Sequence, residues 1–112
     1  MNATGFVKVC PLSEVPPEGA LGVEIDDTPV AVVRLDSDGK TEVFALRDVC
    51  SHAEVALSEG EVYDYTIECW LHGSCFDLRT GKPTNPPATQ PVPTYRVKVE
   101  DGDVYVSLGD DD

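Results

Sequence analysis

Both histidines of the chain closely follow a cysteine, as Cys50-Ser51-His52 and Cys69-Trp70-Leu71-His72, with sixteen residues between His52 and Cys69. A tight loop around each pair can present one thiolate and one imidazole. Two such loops side by side would offer two sulfur and two nitrogen ligands. Zinc accepts that donor set in a tetrahedral site, so a structural zinc module is one reading of the four residues. Zinc loops, however, usually leave about two to four residues between paired ligands, so that both reach a single ion. Only Ser51 separates Cys50 from His52, a spacing that strains a mononuclear site. Two irons bridged by sulfides relax that limit, because the cysteine can bind one iron and the histidine the other. The spacing favours a binuclear cluster.

The elements that must position these loops read as strands. Apolar and β-branched clusters recur at Phe6 to Val9, Leu21 to Ile25, Val30 to Leu35, Glu42 to Leu46, Tyr65 to Glu68, Tyr95 to Val99 and Asp103 to Val106. Turn signals separate them at Asp26-Asp27-Thr28, Asp38-Gly39, Thr80-Gly81 and Asp101-Gly102, the pattern of an antiparallel all-β domain. Alternation is clearest in Tyr95-Arg96-Val97-Lys98-Val99, where the odd positions should face the core. Nine prolines and nine glycines break most helical windows, and Leu12-Ser13-Glu14-Val15 allows one short turn before Pro16-Pro17 ends it. Residues 83–93 hold five prolines, a density that excludes a central strand and predicts a stiff loop. At 112 residues the chain has room for one hydrophobic core, so residues 1–112 read as a single domain.

Eight Lys and Arg against 21 Asp and Glu give a formal charge of -13, which repels phosphate backbones and anionic lipid. Nucleic acid and membrane surfaces are therefore excluded as partners, and the acidic charge serves either solubility alone or steering toward a basic face on a partner protein. The opening residues lack a basic region followed by an apolar run, and no stretch approaches the roughly 20 apolar residues of a membrane span. A cytoplasmic monomer is the expectation. In that reducing setting the four cysteines are thiols or metal ligands rather than disulfides.

The two cysteine–histidine pairs resemble the cluster-binding loops of the Rieske iron-sulfur family, in which Cys-x-His and Cys-x-x-His are separated by a span of this length. Gly73 and Ser74 extend the likeness after His72. The resemblance implies a Rieske-type antiparallel β-sandwich with an inserted cluster-binding subdomain at about residues 47–81 and a Pro-rich loop at 83–93. It also implies a [2Fe-2S] cluster with Cys50 and Cys69 on one iron and His52 and His72 on the other. Two thiolates leave the oxidised cluster neutral, where four would leave a dianion, so an electron is added more easily. Rieske centres accordingly lie at about -150 to +300 mV, against about -400 mV for plant-type ferredoxins. In high-potential relatives a serine just after the second histidine's glycine and a tyrosine two residues later donate hydrogen bonds to the cluster. Ser74 keeps the first, and Phe76 stands in place of the second.

Respiratory members of the family join their loops by a disulfide, whose positions here are Val55 and Leu71. Oxygenase subunits need further histidines for a mononuclear iron, and this chain has none to spare. Small subunits of nitrite reductase share the fold but often lack the ligands. The remaining likeness is to ferredoxins that carry electrons from an NAD(P)H-dependent flavin reductase to a terminal ring-hydroxylating oxygenase in aromatic hydrocarbon catabolism. Leu57-Ser58-Glu59-Gly60 and Arg79-Thr80-Gly81 are close to that group's wording. A Rieske-type accessory of iron-sulfur assembly, whose second loop similarly reads Glu-Cys-Trp-Leu-His-Gly-Ser, is the alternative. Trp70 either forms the docking tip with His52 and His72 or packs beneath the cluster, and Cys10 and Cys75 read as packing residues.

His52→Ala and Cys69→Ala each remove a proposed iron ligand and should abolish cluster binding, whereas Cys10→Ser and Cys75→Ser should keep the visible spectrum. Iron and sulfide assays on the purified variants check this. Two irons retained in either of the first pair would overturn the ligand assignment.

Overall fold

The computed structural model describes residues 6–37, 39–49, 55–63, 65–70, 73–84 and 90–107. Its strands are β1 (Val7–Pro11), β2 (Gly19–Ile25), β3 (Thr28–Ser37), β4 (Lys40–Arg47), β5 (Val62–Tyr63), β6 (Thr66–Glu68), β7 (Cys75–Asp77), β8 (Thr94–Glu100) and β9 (Asp103–Ser107). Single 3-10 turns lie at Leu12–Glu14 and Leu57–Glu59. Among the described residues there is no helix long and apolar enough to cross a membrane. The fold is antiparallel all-β, with a six-stranded sheet ordered β1-β9-β8-β4-β3-β2 and a three-stranded sheet ordered β5-β6-β7.

Hairpin chemistry explains the pairing of the large sheet. Asp26 and Asp27 both take positive φ, as do Asp101 and Gly102, so each pair forms the two-residue turn whose twist matches that of its strands. Ile25 then opposes Thr28, and Glu100 opposes Asp103. The two halves of this sheet meet where Ala45 and Leu46 pair with Tyr95 and Thr94, and the Arg47 N–H donates to the Pro93 carbonyl. Val104 and Val106 of β9 nevertheless share one core with Val30 and Val32 of β3, Ile25 of β2, Cys10 and Val15. Strands distant in the sheet order can touch only if the sheet folds over on itself, and that closure makes the sandwich.

Strand β3 is buried on both faces. Val30, Ala31, Val32 and Val33 are all wholly inaccessible. Because successive side chains point to opposite faces, Val30 and Val32 enter the sandwich core while Ala31, Val33 and Leu35 enter a second core. Strand β4 divides likewise, with Ala45 on the sandwich side and Leu46 on the other. The second core is completed by Leu57, Val62, Ile67, Cys69, Phe76, Leu78 and Val92, so the small sheet packs on the outer face of the large one.

The strands read from the sequence are present, and Leu12–Glu14 forms the expected single turn. Two strands were not expected, β5 and β7, because two or three residues carry no readable alternation. In β8 the odd positions do face inward, but Val99 at the sheet's end stays 41% exposed. Of the Pro-rich stretch, residues 85–89 lie outside the described residues. Its two ends are tied down: Thr84 donates from its backbone N–H to the Cys75 carbonyl, and Val92 donates to the carbonyl of Gly81.

Gly81 holds that second tie with φ at +80°, and a Cβ there would overlap the Val92 carbonyl oxygen. Gly81→Ala should therefore cost at least about 2 kcal/mol, since a strained backbone and a steric conflict add. Urea unfolding followed by circular dichroism checks this; an unchanged midpoint would mean that the contact yields without cost.

Candidate metal centre

Cys69 follows β6 directly and begins the turn into β7. Its backbone N–H donates to the Ser74 carbonyl at 2.6 Å, and the Gly73 N–H donates back to the Cys69 carbonyl at 2.9 Å. These bonds tie Cys69 to Gly73 and Ser74 at the rim of the small sheet. Cys69 is wholly buried there, in no disulfide, among the apolar side chains of the second core. Cys50, His52 and His72 lie outside the described residues. Among the described residues no other group of three or more His, Cys, Asp or Glu side chains gathers as a metal site.

Two supports of this region escaped the sequence reading. Asp48, two residues before Cys50, is only 8% exposed and directs both carboxylate oxygens at Ser58. The Ser58 N–H donates to Asp48 Oδ1 and the Ser58 hydroxyl to Oδ2, each at 2.6 Å. Its own N–H donates to the Pro29 carbonyl, at the start of β3. Gly60 sits against the end of β6, where a Cβ would overlap the Glu68 carbonyl oxygen. The 57–60 turn thus touches the chain just ahead of both cysteines. Nothing in the sequence announces contacts between such distant positions, although Leu57-Ser58-Glu59-Gly60 stood out as family wording.

A second tie joins the small sheet to the large one. The Tyr65 hydroxyl donates to Glu42 on β4, its ring meets Phe44 edge-on at 6.0 Å, and the Arg79 guanidinium lies 4.4 Å above it. Trp70 is 52% exposed, so it belongs to the outer surface rather than to the packing beneath Cys69. Cys75 is half-buried on β7, with its thiol 3.9 Å from the Gly73 carbonyl. Cys10 is buried in the sandwich core, where desolvation, then the Glu14 and Asp103 carboxylates, push its thiol above the usual range. It is a neutral packing group, far in the fold from Cys69.

The sequence profile of the Rieske [2Fe-2S] domain matches residues 5–96. The chain belongs to the Rieske [2Fe-2S] domain family. It is 42% identical over 104 residues to a biphenyl dioxygenase ferredoxin subunit of Pseudomonas sp. (strain KKS102), covering 92% of each chain. The ferredoxin of carbazole 1,9a-dioxygenase from Nocardioides aromaticivorans IC177 superposes with a TM-score of 0.82 at 36% identity, over 91% of this chain and 96% of that one. A ferredoxin solved in a complex of reduced oxygenase and oxidized ferredoxin in carbazole 1,9a-dioxygenase has a TM-score of 0.78 and 37% identity, over 89% of this chain and 99% of that one.

The cofactor of this Rieske chain is a [2Fe-2S] cluster and its role is electron transfer rather than catalysis. Cys69, buried and tied to Gly73 and Ser74 by backbone bonds, suits that group, because a buried thiolate needs a cationic partner. When bound, the cluster accepts and releases one electron at a potential set by charge, exposure and hydrogen bonds to its sulfurs.

Ser74 is wholly buried beside Cys69, and Phe76 is wholly buried in the same core, opposite Ile67. With the serine kept and the tyrosine hydroxyl absent, the potential should lie between about -150 and +75 mV, the lower half of the family range. Ser74→Ala should lower it and Phe76→Tyr should raise it. Protein-film voltammetry checks the three proteins; a wild-type value near about +300 mV, or no shift without Ser74, would assign the potential to backbone donors and solvent instead.

Proposed function

We propose that this chain is the ferredoxin component of a ring-hydroxylating dioxygenase system, with the cluster held by Cys50, His52, Cys69 and His72. In this reading residues 1–112 form one Rieske domain, with a cluster-binding subdomain at about 47–81. It works as a cytoplasmic monomer, receiving electrons singly from a flavin-dependent reductase and passing them to a terminal oxygenase. The observation that carries the reading is the pair of ferredoxins from carbazole 1,9a-dioxygenase, whose whole length this chain nearly matches, one of them solved with its oxygenase. That likeness favours the dioxygenase role over the iron-sulfur assembly accessory, and the cluster favours either over a zinc module.

The surface is suited to a basic partner. Among the described residues Lys8, Arg34, Arg79 and Lys98 each meet an acidic side chain within 4.0 Å. Half of the eight basic groups are thus neutralised locally, and the excess of acids faces outward. Glu59 and Glu61 are exposed on the segment that carries the 57–60 turn, and Trp70 stands out beside Cys69. We assign docking to the Trp70 end of the molecule.

Electron transfer from a purified flavin reductase to this protein should slow as ionic strength rises, because exposed charges are screened beyond about 8–10 Å at physiological salt. Stopped-flow bleaching of the cluster spectrum measures it. A rate that stays flat from low to high salt would argue against electrostatic steering, and a colourless protein without iron would return the zinc module to first place.

A further inference from the structure

We propose that Ser58 and Gly60 are positioning residues, and that the 57–60 turn is a spacer fixing the distance between the two ligand loops. The proposal rests on the reading that those loops hold the cluster. On one side the turn grips Asp48 through both Ser58 donors at 2.6 Å, two residues ahead of Cys50. On the other, Gly60 lies against the Glu68 carbonyl, one residue ahead of Cys69, and the Glu68 N–H donates to the Glu61 carbonyl at 2.8 Å. Leu57, wholly buried in the second core, fixes the turn against the sheet, and the Gly60 N–H closes it onto the Leu57 carbonyl at 2.9 Å.

The grip on Asp48 has no slack. Gly22 of β2 packs against it, and a Cβ at that position would come within 2.8 Å of Asp48 Oδ2 and 2.9 Å of the Ser58 hydroxyl. A carboxylate that accepts two short bonds in a buried site is held far more rigidly than one in water, because charge-assisted bonds strengthen as water is excluded. A packing role alone would require only apolar contact here. The paired oxygens and donors instead fix the direction in which the chain leaves β4 toward Cys50, and the Gly60 contact fixes the height of β6 as it delivers Cys69.

The test uses the purified holoprotein, three variants and a control variant. Ser58→Ala removes one bond to Asp48. Gly22→Ala wedges the carboxylate and hydroxyl apart while leaving both in place. Asp48→Asn keeps an acceptor for the Ser58 N–H and offers an amide donor to the hydroxyl. Iron release to an excess of chelator should accelerate about tenfold in Ser58→Ala and in Gly22→Ala, the factor expected for losing one buried hydrogen bond to a charged group. The electron paramagnetic resonance g values of the reduced cluster should move in the same two proteins. Asp48→Asn, which keeps a hydrogen bond to each Ser58 group, should stay within about twofold of wild type in both readouts. Val106→Ala, a cavity in the sandwich core, provides a control of matched destabilisation that should leave the g values unmoved.

Wild-type release rates and g values in both Ser58→Ala and Gly22→Ala would overturn the proposal. So would changes no larger than those of Val106→Ala at equal loss of stability. Neither result touches the ligand assignment, which stands or falls on iron content in the ligand variants. Partner proteins do not enter the measurement.

Discussion

Strand β3 serves two cores at once, and the rest of the molecule is arranged around that constraint. A strand with water on one face needs apolar side chains only at alternate positions, whereas β3 has none of its central four exposed. One face closes the sandwich against β9 and the other seats the small sheet that carries Cys69. The cluster region is therefore built on the scaffold's own central strand rather than on a peripheral loop. Displacement of the small sheet would expose Leu57, Ile67, Phe76 and Leu78 together, each now buried. At about 25 cal/mol per Å2 of apolar surface, such exposure is strongly resisted.

How much of this was legible in the sequence follows from which forces leave a local trace. Alternation and turn residues are local, so the long strands and the Asp26-Asp27 and Asp101-Gly102 hairpins could be read directly. Cys50, His52, Cys69 and His72 could be proposed as ligands for a similar reason, since a cluster loop demands its donors within a few residues. Strands β5 and β7 left no such trace. They exist because β6 lies between them and offers both edges, a relation set by tertiary packing. Asp48 and Ser58 are ten residues apart and unremarkable in type, and only the folded chain shows them bonded. Trp70 was equally undetermined, because an indole beside a ligand cysteine can turn inward or outward with no change in spacing.

Electron transfer asks less of side-chain chemistry than catalysis does, and the fold reflects it. Electron transfer needs no tuned acid or base, and the Asp48 carboxylate, two residues ahead of Cys50, is spent on hydrogen bonds to Ser58. What the site requires is that its geometry change little when charge arrives. Backbone contacts supply that economically. The bonds of Cys69 with Gly73 and Ser74, the carbonyl contact at Gly60 and the tie from Val92 to Gly81 all use main-chain atoms, which have fewer ways to relax than long side chains.

Surface charge and cluster environment pull in opposite directions, and the fold keeps most of its acidic charge at the surface. An excess of acidic groups close to the cluster would oppose the arrival of an electron, whereas the same charge at the surface speeds encounter with a basic partner. The buried side chains packed with Cys69 in the second core are apolar, the one buried carboxylate among the described residues, Asp48, is bonded by both donors of Ser58, and most other described acidic residues are exposed. Water screens those outer charges over a Debye length, so they act on a partner approaching through solvent more than on the interior. Trp70 is placed at the junction of the two regimes, exposed to solvent and adjacent in the chain to the proposed ligand Cys69. An aromatic side chain there adds apolar contact area to docking without adding charge beside the cluster.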